Sequence, residues 1–185
     1  MPFPFSLPEQ CKIVHLFYGT TNAAAAVTNV DVISCKNALK VWIVGFHTAA
    51  NATTCVVSLY EATDVAGATN AAITATFPIW KVIPTTATDA LTKQTDAASL
   101  TIDPDGTDNP MLFVLEWDPA KFTAGYDCLS VHLATGHAND RVEILAFIQE
   151  RYPQRLAPSA IGDCVPNPGG GVGAGAGHRP APTAR

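Results

Sequence analysis

The chain has 185 residues, 48% of them hydrophobic and 15% charged, with a formal net charge of -5. This suits one domain of about 150 residues with extensions, burying roughly 68–70% of its unfolded surface. The acidic balance argues against a general nucleic-acid binder, which needs a basic face, and no apolar run approaches the roughly 20 residues of a helical membrane span.

The charge is uneven along the chain. Residues 1–150 carry seven Lys/Arg against fifteen Asp/Glu, a net of -8, whereas residues 151–185 carry four Arg against Asp163 alone, a net of +3. A basic tail on an acidic body is suited to docking on an acidic neighbour.

Residues 1–11 read as an extended N-terminal arm, because Pro2, Pro4 and Pro8 oppose a regular helix. Phe3, Phe5 and Leu7 alternate with polar or proline positions and require an apolar place to lie. The start lacks the basic n-region of a secretory signal, so the expectation is a chain made and kept in a cytosol. There Cys11, Cys35, Cys55, Cys128 and Cys164 are free thiols.

Residues 12–155 read as the folded body. KIVHLFYG, VTNVDVISC, LKVWIVGFHT and TTCVVSLYEA are rich in β-branched and aromatic residues and broken by turn formers. Cys55, Val57 and Leu59 alternate with Thr54, Ser58 and Tyr60, Val56 being the exception, and Ile73, Ala75, Phe77 and Ile79 stand against Thr74 and Thr76. Val41–Val44 is apolar on both faces, the pattern of a central strand covered on both sides.

The connection from Pro84 to Ser99 is long, with a short amphipathic helix expected around Thr88–Gln94. Asp103, Asp105 and Asp108 lie in DPDGTDNP, whose composition favours a plain turn over a calcium loop. After the Met111 strand, Asp118 with Pro119 is placed to cap a helical turn, and Gly125 to permit a sharp re-entry. Tyr126, two residues before Cys128, matches the local pattern of a tyrosine corner between two sheets.

On the next strand Leu129, Val131 and Leu133 point one way, which turns His132 toward solvent or a partner. RVEILAFIQE reads as a strand because Val142, Ile144, Ala146 and Ile148 line one face. Roughly nine or ten short strands and no long helix give an all-β fold, a jelly-roll-like or Greek-key β-sandwich. Residues 156–185, with PNPGGGVGAGAGHRPAPTAR, read as an extended or flexible tail able to reach about 100 Å.

Catalytic signatures are missing. There is no GxSxG and no HExxH, and His15, His47, His132, His137 and His178 are scattered. The glycine run lacks the Lys-Ser/Thr ending of a phosphate loop, and Asn51-Ala52-Thr53 is a sequon of no consequence without secretion. The expectation is a non-enzyme with no cofactor, metal, nucleic acid or membrane partner.

The stretch GYDCLSVHLATGHANDRVEILAFIQERYPQ resembles the C-terminal end of a family of small tailed-bacteriophage virion proteins, where a GYDxVxVxL strand precedes a last strand and a terminal RYxQ. LKVWIVGFHTAANATTCVVSLYEATDVAG is similar to an earlier pair of strands in that group. Leu129 departs from the first motif, which has Val there, and the likeness spans residues 12–155. It implies an auxiliary capsid protein on the outside of the shell, a cement or decoration subunit at capsomer junctions. Its implied partners are the major capsid protein and neighbouring copies of itself, after synthesis in the host cytoplasm. The matching positions are fold positions and transfer no functional residue.

From the residues themselves, Phe3 and Phe5 offer apolar anchors, and Arg151, Arg155, Arg179 and Arg185 charge-assisted ones. The alternative is a carbohydrate- or host-binding module of a head or tail fibre. It needs an exposed aromatic platform, and Trp80 and Trp117, which flank apolar strands, are both expected in the core.

Overall fold

A computed structural model describes residues 7–19, 26–27, 31–49, 53–82, 90–102, 110–137 and 139–151. The chain divides into a unit of Met1–Arg155 and a unit of Leu156–Arg185, the latter outside the described residues.

One helical turn, α1 (Leu7–Gln10), leads directly into β1 (Cys11–Gly19). This corrects the expectation of an extended path through Pro8. A proline in a first helical turn loses no hydrogen bond, because the N–H groups there have no partner within the helix.

The strands that follow are β2 (Ala26–Val27), β3 (Ile33–Ser34), β4 (Ala38–Thr48), β5 (Cys55–Ala62), β6 (Asn70–Ala72) and β7 (Ile79–Val82). Next come β8 (Thr92–Lys93), β9 (Ser99–Ile102), β10 (Met111–Trp117), β11 (Cys128–Ala134) and β12 (Arg141–Glu150). They form two antiparallel sheets. The first has the order β1-β12-β4-β10-β7-β8; the second has β2-β11-β5-β6, with β3 also on β11 and β9 also on β5.

Alternation builds the shared core. Val41 and Ile43 of the first sheet and Leu59 and Val131 of the second belong to one buried cluster. Val142, Ile144, Ala146 and Ile148 of β12 are all buried, as the sequence reading requires. Trp117 belongs to the same core, edge-on to Phe77 with ring centroids 6.4 Å apart.

Three expectations are corrected. Thr92–Lys93 is a strand rather than helix, because pairing Trp80 with Lys93 and Lys81 with Thr92 satisfies its backbone on the edge of β7; residues 88 and 89 lie outside the described residues. The alternation through Ile73, Ala75, Phe77 and Ile79 is not one strand, since Ala75 is exposed at a bend where the chain leaves the second sheet for the first. Val41–Val44 is central within its sheet, between β12 and β10, but Trp42 and Val44 on its outer side are only half-buried. Asp103, Asp105 and Asp108 lie outside the described residues.

The turn between β10 and β11 crosses from one sheet to the other. Asp118 caps the 3-10 turn Pro119–Lys121, its side chain accepting from the Ala120 N–H at 2.9 Å. Gly125 takes φ +94°, a left-handed conformation that favours glycine. The side chain that ties this turn down is Glu61 of β5, whose carboxylate accepts from the Thr123 N–H at 2.9 Å. The Tyr126 side chain is half-buried and does not supply that tie among the described residues.

Candidate docking surface

The outward faces of the two sheets differ in chemistry. On the second sheet, Ser130 stands opposite Tyr60 and His132 opposite Ser58, while Ser58 pairs with Ser99 and Val56 with Thr101. His132 faces away from the core as expected, but it is half-buried and stacks on Tyr60, ring centroids 3.5 Å apart at 11°. Burial lowers its pKa from the ordinary histidine value. Ser58, Ser99, Thr101 and the ring pair share this face with Val56, Ala72 and Ala134, while Ser130 is buried, so the face is mixed and its apolar side chains are small.

The outward face of the first sheet is mostly apolar. Register sets Ile13 opposite Phe147, Phe147 opposite Trp42, and Trp42 opposite Glu116. The next row runs Leu145, Val44, Val114 and Trp80, flanked by His15 and Lys93. A third joins Phe46, Leu112 and Val82, with Glu143 and Tyr18 at its end. Phe46 is 41% and Ile13 44% exposed. Antiparallel sheets with one solvated face carry polar residues there, and a contiguous apolar patch marks a surface that another body covers.

Polar groups on this face are placed to orient the aromatics. Glu116 bridges Lys40 and Trp42, accepting a charge-assisted bond from the ammonium and a 3.2 Å bond from the indole N–H. Lys93 Nζ lies 6.0 Å from the Trp80 ring centroid, within reach of a cation–π contact. Near α1 the face deepens into a groove of about 410 Å³, walled by Leu7 and Gln10 and floored by Trp42, Val44, Val114 and Phe147.

Trp117 is in the core as expected, whereas Trp80 is not. Trp117 shares the parity of Met111, Phe113 and Leu115, all buried, while Trp80 pairs with the outward Val114. Of the candidate anchors, Arg151 is exposed just after β12, where its backbone N–H donates to Asn37 O at 2.8 Å. Phe3, Phe5, Arg155, Arg179 and Arg185 lie outside the described residues.

A second polar cluster is internal. His47 and Asp140 are both fully buried, Nε2 to Oδ2 at 3.5 Å, and Asp140 Oδ2 also accepts from the His137 N–H at 2.9 Å. At 3.5 Å the imidazole is within ion-pair distance of the carboxylate, a charge contact only when His47 is protonated, and does not meet hydrogen-bond geometry. Burial pushes the His47 pKa down, and Asp140 partly offsets this. Burial also drives the thiol pKa of Cys35, Cys55 and Cys128 up to about 12, so none supplies a thiolate nucleophile. Among the described residues no group of three or more His, Cys, Asp or Glu side chains is arranged to hold a metal.

The sequence reading missed the outer face of the first sheet. Its signal is the lack of alternation in VWIV at 41–44 and MLFVL at 111–115. Comparison with protein-family models, with curated proteins and with solved structures finds no match for the chain.

Proposed function

We propose that the protein is a non-enzymatic structural subunit of a phage virion, seated on the outside of the capsid shell as a cement or decoration protein that stabilises capsomer junctions. The observation that carries this reading is the contrast between the two outer faces. One mixes hydroxyl side chains and a ring pair with small apolar ones, Val56, Ala72 and Ala134; the other presents the larger Phe46, Leu112, Val114 and Trp80 in adjacent rows. A rigid sandwich with one adhesive side is suited to bridging neighbouring capsomers by burying apolar area across their junction. The likeness of residues 39–67 and 125–154 to phage virion proteins supports the same assignment, with the major capsid protein and neighbouring copies as partners.

We read the fold more finely as a jelly roll. In its support, β1-β12-β4-β10 in one sheet and β2-β11-β5-β9 in the other are in the orders produced by wrapping four antiparallel pairs into two sheets. The Arg151, Arg155, Arg179 and Arg185 guanidinium groups are proposed to reach acidic positions on the shell.

The experiment is purification of intact particles with the protein in stoichiometric amount, followed by reconstitution of stripped particles with variants. Phe46→Lys and Trp80→Lys are expected to lower affinity at least about tenfold, or about 1.4 kcal/mol each. Particles lacking the protein, or full occupancy by both variants, would sink the proposal. A carbohydrate-binding module is the second reading, favoured by the outward Trp80 with its cationic neighbour Lys93. Saturable binding on a glycan array, abolished by Trp80→Ala, would select it.

A further inference from the structure

We infer that the groove beside α1 is the seat of the chain's own first six residues, Met1–Ser6, with Phe3 and Phe5 packed on the outer face of the first sheet. The argument starts from where the chain enters. Leu7 and Gln10 form one wall of the groove, so the segment that precedes Leu7 departs from the groove's edge. Six residues extend at most about 20 Å. The floor runs from Phe147 on β12 across Trp42 on β4 to Val114 on β10, two strand spacings or about 10 Å. The segment therefore spans it without strain.

The chemistry of the two partners matches. MPFPFS has no charged side chain, and its prolines hold it extended at little entropic cost. Proline-rich extended segments dock in grooves lined by aromatic rings. Here the rings are Trp42 and Phe147, and the groove also carries the side-chain amides of Gln10 and Gln149. An amide both donates and accepts, so it can serve the carbonyls around Pro2 and Pro4 where those residues lack an N–H. The short tether gives the segment a millimolar effective concentration at its own groove, which favours this seat over that of another copy. The consequence is a division of the apolar face: the α1 end is filled by the chain itself, leaving Phe46, Leu112 and Trp80 for an outside partner.

This inference concerns the isolated protein and does not depend on the capsid reading. The test is NMR on the full-length chain. Nuclear Overhauser contacts are expected from the Phe3 and Phe5 rings to those of Trp42 and Phe147. Deleting residues 1–6, or the pair Phe3→Ser with Phe5→Ser, is expected to shift the Trp42 indole N–H resonance while those of Trp80 and Trp117 stay in place. Adding the free peptide MPFPFS to the deleted chain is expected to restore the Trp42 shift saturably. The inference is overturned if the contacts are absent and Trp42 does not respond to either variant. It is equally overturned if the contacts arise only in a mixture of labelled and unlabelled chains, which would show exchange between copies.

Discussion

Gly45 and Phe113 face each other across β4 and β10 so closely that a Cβ placed on Gly45 would lie 2.0 Å from Cζ of Phe113. The Phe113 ring, fully buried, lies over the glycine and takes the space a side chain would have filled. Gly45 is thus a packing requirement at the centre of the first sheet. Gly45→Ala forces the ring off its seat and is expected to cost about 1–3 kcal/mol, the usual cost of overpacking. Chemical denaturation measures it. Phe113→Leu in the same chain should recover part of the loss, and strict additivity of the two changes would contradict a steric origin.

The turn between the sheets depends on a carboxylate from a distant strand. Glu61 holds the Thr123 N–H, and Asp118 caps the 3-10 turn a few residues earlier. Glu61→Ala is expected to cost about 1.5–3 kcal/mol, as for a bond to a charged group, and Asp118→Ala about 1 kcal/mol. Hydrogen exchange should show the amides of Thr123 and Ala120 losing protection first. Unchanged stability in Glu61→Ala would remove its role as the tie.

His47 makes stability depend on pH. Burial lowers its folded pKa below the ordinary 6.5, so the unfolded chain takes up a proton here before the folded one does. The stabilising contribution is whole above pH 6.5 and is lost as pH falls from there toward the folded value. His132, lowered in the same direction, adds to this slope. Urea midpoints measured between pH 7 and 5 should fall more steeply for the native sequence than for His47→Leu. Asp140→Asn removes the group that partly offsets burial, so folded His47 should protonate at a still lower pH and the loss of stability should extend further down from the same onset. An identical slope with and without His47 would refute the assignment.

Thiol reactivity follows burial. With thiol pKa values of about 12, Cys35, Cys55 and Cys128 carry a thiolate fraction on the order of 10⁻⁴ at pH 8. Cys11, half-buried in the groove, is raised as well but is the most accessible of these four. In a Cys164→Ser background a small disulfide reagent should modify Cys11 first and the other three only on unfolding. Mass mapping that finds early modification of Cys55 would contradict the packing described.

Much of the fold is legible in local pattern. RVEILAFIQE declares a strand because one parity is wholly apolar, and that parity is the buried one. Asp118, Pro119 and Gly125 declare their turn because each meets a specific backbone demand: a free N–H, a fixed φ and a positive φ. His47 was legible in principle, since it shares the parity of Val41, Ile43 and Gly45, all buried. The Thr88–Gln94 reading failed because edge pairing with β7 outweighed weak helical periodicity.

What the sequence by itself determined is that this chain forms strands, where they turn, and which alternating positions enter a core. Those properties follow from period-two side-chain geometry and from backbone preferences that act over a few residues. Only the tertiary structure decided which side of VWIV and MLFVL faces out, and that Trp42, Val44, Val114 and Trp80 come together on one surface. An unbroken apolar run has no phase, so its inner and outer faces become distinct only when the second sheet packs against one of them.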